Sequence, residues 1–354
     1  MDNPLAWRPS RINTGSWLTG YTLNALVDRI STDRVVLPIC SLGTPFDEIS
    51  RLAPLVLPPL YHEALDGELK RELLDRMSDC FPYYHETTRA GSASFEVVEL
   101  PEASYPPCGP EGAVVMFSVD TAVEEHGPHL PLATDTLQSY AVLERLADER
   151  ADHLVAPPVD YGQLTWGLPF GMSIDITAAL LSRYVTGYAN AIVDWLKPRA
   201  AYVVDVHGSI VHRTAIQDGL SLSRLRPWRF RWLHDPLVPV SGQRGDQHAG
   251  GVETALIEWI DPALVDRRWW PARREELVAG QLSLDDAVAL SSDLPEFIAR
   301  VENERLNGIV GGLENYDAVD GQELMNQILD VARCDLDELA CAARDCNEGG
   351  DQPS

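Results

Sequence analysis

The chain has 354 residues, 45% of them hydrophobic and 23% charged, and 54 acidic side chains against 28 basic ones give a formal charge of -26. That apolar content excludes wholesale disorder, and the charge argues against nucleic acid or an anionic membrane as a partner, because both repel it. No apolar run approaches the roughly 18 to 20 residues that cross a bilayer, and the opening MDNPLAWRPSR lacks the basic start and apolar core of a signal peptide, so a soluble, cytoplasmic protein with a sizeable core is expected.

In chain order, RVVLPICSLGTP (34–45) begins as a buried strand and breaks at Gly43 and Pro45. LDGELKRELLDRMSDCF (65–81) carries leucines and Met77 at helical spacing. TTRAGSAS (87–94) is small and polar, a linker, and SYPPCGPEG (104–112) is a second turn-rich patch. A regular rhythm follows: strand at 113–119, helix at 135–151, strand at 153–159 ended by prolines, helix at 176–196 stopped by Pro198, strand at 200–206. That alternation predicts an α/β fold with a mainly parallel sheet and helices on both faces. Residues 321–344 read as helix and the tail CNEGGDQPS as frayed. Cys40, Cys80, Cys108, Cys334, Cys341 and Cys346 form no CxxC pair and fit no zinc framework, so they read as free thiols. Lys70 and Lys197 are the only lysines and sit in no motif, which disfavours Schiff-base chemistry.

The densest polar cluster is VEEHGPHLPLATDT (123–136), with Glu124, Glu125, His126, His129 and Asp135 within twelve positions directly after a predicted strand. Side chains two apart in extended backbone share a face, so Glu124 and His126 can aim at one point. Asp135 lies at a predicted helix start. Carboxylate with imidazole is the ligand set of zinc and of harder ions such as manganese. The plain alternative is that Asp135 caps its helix, Glu125 is solvated and the histidines are loop residues. His207 follows the strand at 200–206, at the end where ligands gather in α/β sheets. DQHAGGVETALIEW (246–259) adds His248 and Glu253, the latter opening a helix. Together Glu124, His126, Asp135, His207 and Glu253 suit two divalent ions with one bridging carboxylate.

EEHGPHLPLATDT, VDVHGS and DQHAGGVETALIEWIDPALV, in that order and spacing, resemble the three hallmark segments of the creatininase (creatinine amidohydrolase) family. The resemblance runs from about residue 95 to 340 and implies a three-layer α/β/α fold, a binuclear centre of zinc, manganese or iron, cleavage of C–N amide bonds, and a homo-oligomer, often a hexamer. It implies Glu124 on one ion, His126 on the other, Asp135 between them, His207 completing the first site and Glu253 the second. His248 becomes the proton shuttle, and His129 matches a motif position that is not a ligand. The family's Asn-Gly-His-Gly-Gly-Asn reads here Asp205-Val206-His207-Gly208-Ser209-Ile210. Creatinine-cleaving members carry a metal-binding glutamate where this chain has Ser209, which argues against creatinine as substrate. Ser209, Trp166 and His129 are the candidate substrate contacts.

On this reading residues 1–92 are an N-terminal extension (lid, interface or accessory, with Trp7 and Trp17 suited to an interface), 93–345 the catalytic domain and 346–354 a flexible tail. The expected activity is hydrolysis of a small amide, formamide or peptide-like substrate. Amide formation or ring closure at the same two ions, and an inactive metal-bound scaffold, are the alternatives. SRLRPWRFRWLHDP (223–236) reads either as a cationic, aromatic wall for an acidic substrate or as an amphipathic strand whose arginines pair with the many carboxylates, and charge runs favour the second.

Overall fold

Val35–Cys40 (β1) is apolar and buried at every position, as a strand covered on both faces must be. The computed structural model describes residues 16–30, 32–81, 94–106, 109–290, 292–304 and 306–348. Beside β1 lie Leu55–Val56 (β2) and Leu60–Tyr61 (β3), both parallel to it. Phe95–Glu99 (β4) pairs with Val35 to Ile39 in parallel register. A strand has two edges, so β2 and β3 share one of them as an interrupted strand; Pro58 and Pro59 between them have no N–H to give the ladder. The helix α1 (Gly67–Cys80) starts on Asp66, whose carboxylate accepts from Glu68 N at 3.0 Å and Leu69 N at 2.7 Å. It buries Leu69, Leu73, Met77 and Cys80. Thus β4, which follows residue 92, hydrogen-bonds into the N-terminal sheet.

The second sheet contains Val114–Ser118 (β5), His153–Val155 (β6), Ala200–Asp205 (β7) and Trp228–Trp232 (β8), all parallel, in the order β6-β5-β7-β8. The helices α2 (Thr134–Glu149), α3 (Ala178–Leu196) and α4 (Ile210–Leu222) are the successive crossovers. The first leads from β5 outward to β6, and the next two return across β5 to β7 and β8. Right-handed crossovers therefore put α2 on one face and α3 with α4 on the other. Packing agrees: α3 lies along α4, whereas α2 packs with α5 (Gly251–Ile260) and α8 (Gly321–Glu348). The result is a three-layer α/β/α arrangement. The strand read over 153–159 ends early, at Val155, before Pro157 and Pro158.

One apolar core runs from Trp17 to Ala343 and spans both sheets. Tyr61 N–H donates to Tyr184 Oη at 3.2 Å, Tyr161 Oη–H donates to the Pro58 carbonyl at 2.7 Å, and the Tyr61 and Tyr188 rings lie 5.7 Å apart. A smaller cluster of Leu282, Leu290, Phe297 and Val301 joins α6 (Leu284–Leu290) to α7 (Leu294–Glu304). Among the described residues Cys40, Cys80 and Cys334 are free thiols. No described helix is long and apolar enough to cross a membrane. Trp7, Cys108, linker residues 87–93 and the tail beyond 348 lie outside the described residues.

Candidate metal centre

Because the chain leaves β5 toward β6 and comes back on the other side to β7, a crevice opens at the carboxyl ends of β5 and β7, where ligands bind in doubly wound sheets. The segment after β5 brings Thr121, Glu124 and His126 there, the first turn of α2 brings Asp135, the turn after β7 brings His207, and the first turn of α5 brings Glu253. Donor atoms of Glu124, His126 and Asp135 all lie within 4.8 Å of one another, and so do those of His126, His248 and Glu253. His207 Nδ1 is 2.9 Å from Glu124 Oε2 and 3.5 Å from Asp135 Oδ2, while His126 Nε2 is 3.3 Å from Asp135 Oδ1. Glu124, His126, Asp135 and Glu253 are 3%, 1%, 1% and 6% exposed.

Each imidazole spends one ring nitrogen on a main-chain carbonyl. His126 Nδ1 meets the Glu124 carbonyl at 3.1 Å, His207 Nε2 the Gln163 carbonyl at 3.0 Å, and His248 Nε2 the Glu125 carbonyl at 2.8 Å. A carbonyl only accepts, so each of those nitrogens carries the proton, and for the neutral ring the lone pair is on the other nitrogen. In His126 and His207 that nitrogen faces buried carboxylates. This is the outer support that metal-bound histidines normally have.

The electrostatics point the same way. Burial opposes ionisation of Glu124, but His207 beside it outweighs that and holds the carboxylate below its usual range. Asp135 is likewise driven well below its usual range by His126 and His207, against burial. Burial opposes charge on His126, yet Asp135, Glu253 and Glu124 hold its imidazolium up to about 10. Burial pushes Glu253 up. The pocket thus concentrates negative charge that only bound cations or imidazolium can balance, and the donor set of nitrogen and oxygen suits divalent ions.

His248 is driven down to about 4 by burial and by His126. Glu125, whose plain alternative was a solvated side chain, is 1% exposed, and burial pushes it up to about 8. Its carboxyl lies against Gly308, whose φ of +81° and missing Cβ make room for it. Asp205, in place of the family's asparagine, is pushed well above the carboxylate range by burial and by Asp120. Its carboxyl oxygen accepts from Gly208 N at 3.3 Å, as an amide oxygen would.

A cavity of about 350 Å³ opens above these groups. Glu124, His207, His248 and Ser209 are among its polar lining, and Trp166, Phe170, Leu282, Val288 and Phe297 among its apolar lining. Trp166 packs edge-on against Phe297 at 4.9 Å. Ser209 donates to Gln163 Oε1 at 3.0 Å and caps α4 through His212 N. His129, expected as a substrate contact, is not among the residues lining this cavity: it is fully buried and its Nε2 hydrogen-bonds with Thr254 Oγ1 at 2.8 Å. The arginines of 223–236 are not in the cavity wall either. Arg224 pairs with Asp194, Arg226 with main-chain carbonyls, and Arg229 and Arg231 with Asp335.

Thr121 and Gln163, which no sequence motif marks, also belong to the site. Thr121 Oγ1 lies against both Glu124 and Asp135, at 2.7 Å from the latter. Its position just past a strand end was the available signal. Gln163 holds His207 through its main-chain carbonyl, which no residue identity announces.

A family model described as Creatininase: Creatinine amidohydrolase matches residues 112–333. The mycofactocin precursor peptide peptidase of Mycolicibacterium smegmatis is 31% identical over 146 residues, 40% of this chain and 56% of that protein. That of Mycobacterium ulcerans is 27% identical over 221 residues, 59% of this chain and 79% of that protein. The chain thus spans little more than half the length of the first of these relatives. Among solved structures, a creatinine amidohydrolase (creatininase) superposes with a TM-score of 0.49 at 19% identity, over 64% of this chain and 90% of that one.

Proposed function

The chain belongs to the creatininase (creatinine amidohydrolase) family, and from that premise we propose that it hydrolyses an amide C–N bond of a peptide-like substrate with two divalent ions bound at the carboxyl ends of β5 and β7. The observation that carries this is the shared habit of His126 and His207, each giving one N–H to a main-chain carbonyl and turning its other nitrogen to a buried carboxylate. Glu124, Asp135 and His207 would hold one ion, and His126, Glu253 and the shared Asp135 the other. Such ions supply a water of near-neutral pKa and polarise the carbonyl under attack. His248 is neutral at pH 7, so it takes a proton before it can give one to the leaving nitrogen. Its Nε2 is tied to the Glu125 carbonyl, which leaves Nδ1 for that transfer.

The cavity supports an apolar substrate group beside the scissile bond. Its wall is aromatic and aliphatic, and no lysine or arginine is among its lining residues. A peptide-like substrate also agrees with the peptidases to which the chain is similar. Ser209, where creatinine-cleaving members have a metal-binding glutamate, speaks against creatinine.

A panel of short peptide amides, assayed with zinc or manganese, tests this. Those with aliphatic or aromatic side chains at the scissile bond should be cleaved with kcat/KM at least about tenfold above acidic ones, since one such group in an apolar pocket is worth about 1–3 kcal/mol. His248→Ala should keep both ions and lose roughly a hundredfold or more in turnover. Preference for acidic substrates or for creatinine contradicts the reading.

A further inference from the structure

The N-terminal region lies outside the stretch matched by the family model, yet it grips the loops that carry the site. On α1, Arg76 Nε donates to the Asp175 carbonyl at 3.0 Å, and its Nη2 pairs with the Asp175 carboxylate. Cys80, one turn further, donates Sγ–H to the same carbonyl at 3.4 Å. Asp175, 2% exposed, accepts Leu164 N on its other carboxylate oxygen at 2.8 Å, and Ile176 N donates to the Gly162 carbonyl at 2.9 Å. Between Gly162 and Leu164 sits Gln163, whose carbonyl receives His207 Nε2 and whose side chain receives the Ser209 hydroxyl. A continuous relay therefore leads from Arg76 through Asp175 to His207. Further back, the Tyr21 and Thr19 carbonyls accept Leu132 N and Ala133 N, both at 3.0 Å, just before Asp135.

We propose that the N-terminal region is a built part of the metal centre, with Arg76 and Asp175 as positioning residues that fix His207 by pinning the Gln163 carbonyl. The inference rests on the metal-centre reading above. A histidine whose Nε2–H is tied to a fixed carbonyl keeps its lone pair on Nδ1 and its ring in one orientation. If the 162–164 segment shifts, that nitrogen no longer points steadily between Glu124 and Asp135. Loss of such outer support commonly costs about 10–100-fold in metal affinity.

A matched control is available. Arg183 on α3 also ties α1 to the catalytic core, through Glu72 and Glu68, but its partners are not in the relay. Metal-free full-length protein is titrated with cobalt(II), following its visible absorption, with thermal melting in parallel. Wild type and Arg183→Met should bind two cobalt ions with like affinity. Arg76→Met should bind one of the two about 10–100-fold more weakly and leave the other unchanged, and Arg76→Lys should recover part of the loss. If Arg76→Met does not fold, Asp175→Asn, which keeps the shape and removes the charge, should weaken the same ion. Binding by Arg76→Met or Asp175→Asn equal to wild type, or an equal loss in Arg183→Met, overturns the positioning role alone. Wild-type protein that takes up no cobalt overturns the metal-centre reading with it.

Discussion

The crevice between β5 and β7 and the outer strand β8 are both dense in charge, and they balance it in opposite ways. On β8, Arg229 and Arg231 close on the Asp335 carboxylate at 2.5–2.7 Å, and Tyr202 Oη donates to it as well at 3.1 Å. Arg231 also meets Asp235 and Arg229 meets Glu338, so every charge there has a partner within the protein. In the crevice, Glu124, Asp135 and Glu253 converge with His126 and His207, and protons on the imidazoles are the counter-charge available. A charge run consumed by internal pairs serves the fold, whereas a buried cluster left needing cations marks a binding site.

Two substitutions separate these roles, the larger effect coming from the crevice. Asp135→Ala removes the carboxylate lying between the two imidazoles. It should lose both ions, seen by elemental analysis, and lower kcat/KM about a thousandfold or more. Retention of two ions would dissolve the contrast from that side. Asp335→Ala should leave metal content and kcat/KM unchanged but lower stability by about 3 kcal/mol in urea unfolding, near the bottom of the range for breaking a buried pair because both arginines are partly exposed. Burial raises the Asp335 pKa, but Arg231 and Arg229 outweigh it and hold it below the usual value. Its contribution is therefore present above the ordinary carboxylate range and fades as pH falls through the lowered one, so the gap between variant and wild type should close in acid.

What could be read in the sequence follows from which atoms do the work. β5, β7, α2 and α3 stand out because their apolar periodicity is regular, and the crevice residues because Glu, His and Asp announce themselves by chemistry. β4 was missed: Phe95–Glu99 is only half-buried at the sheet edge, so its pattern is weak. α4 was missed because Ser209 was weighed as a site residue, not as the cap that starts a helix. Gln163 acts through its backbone, and the fate of His129 and Glu125 depends on Thr254 and Gly308, distant partners that no local spacing reveals.

On the proposed function, the crevice should bind two divalent ions in place of protons. In the metal-free protein, burial works against charge on both histidines, but the surrounding carboxylates raise His126 to about 10 and His207 well above its usual value, which favours the protonated rings. An ion needs the neutral nitrogen, so binding must displace those protons and strengthen as pH rises. Calorimetric titration of metal-free protein with zinc at pH 7.5, in two buffers of different ionisation enthalpy, measures both quantities. Two ions per chain with net release of protons, from the imidazoles and from the ion-bound water, is the expected result; fewer than two ions, or binding without proton release, would contradict it.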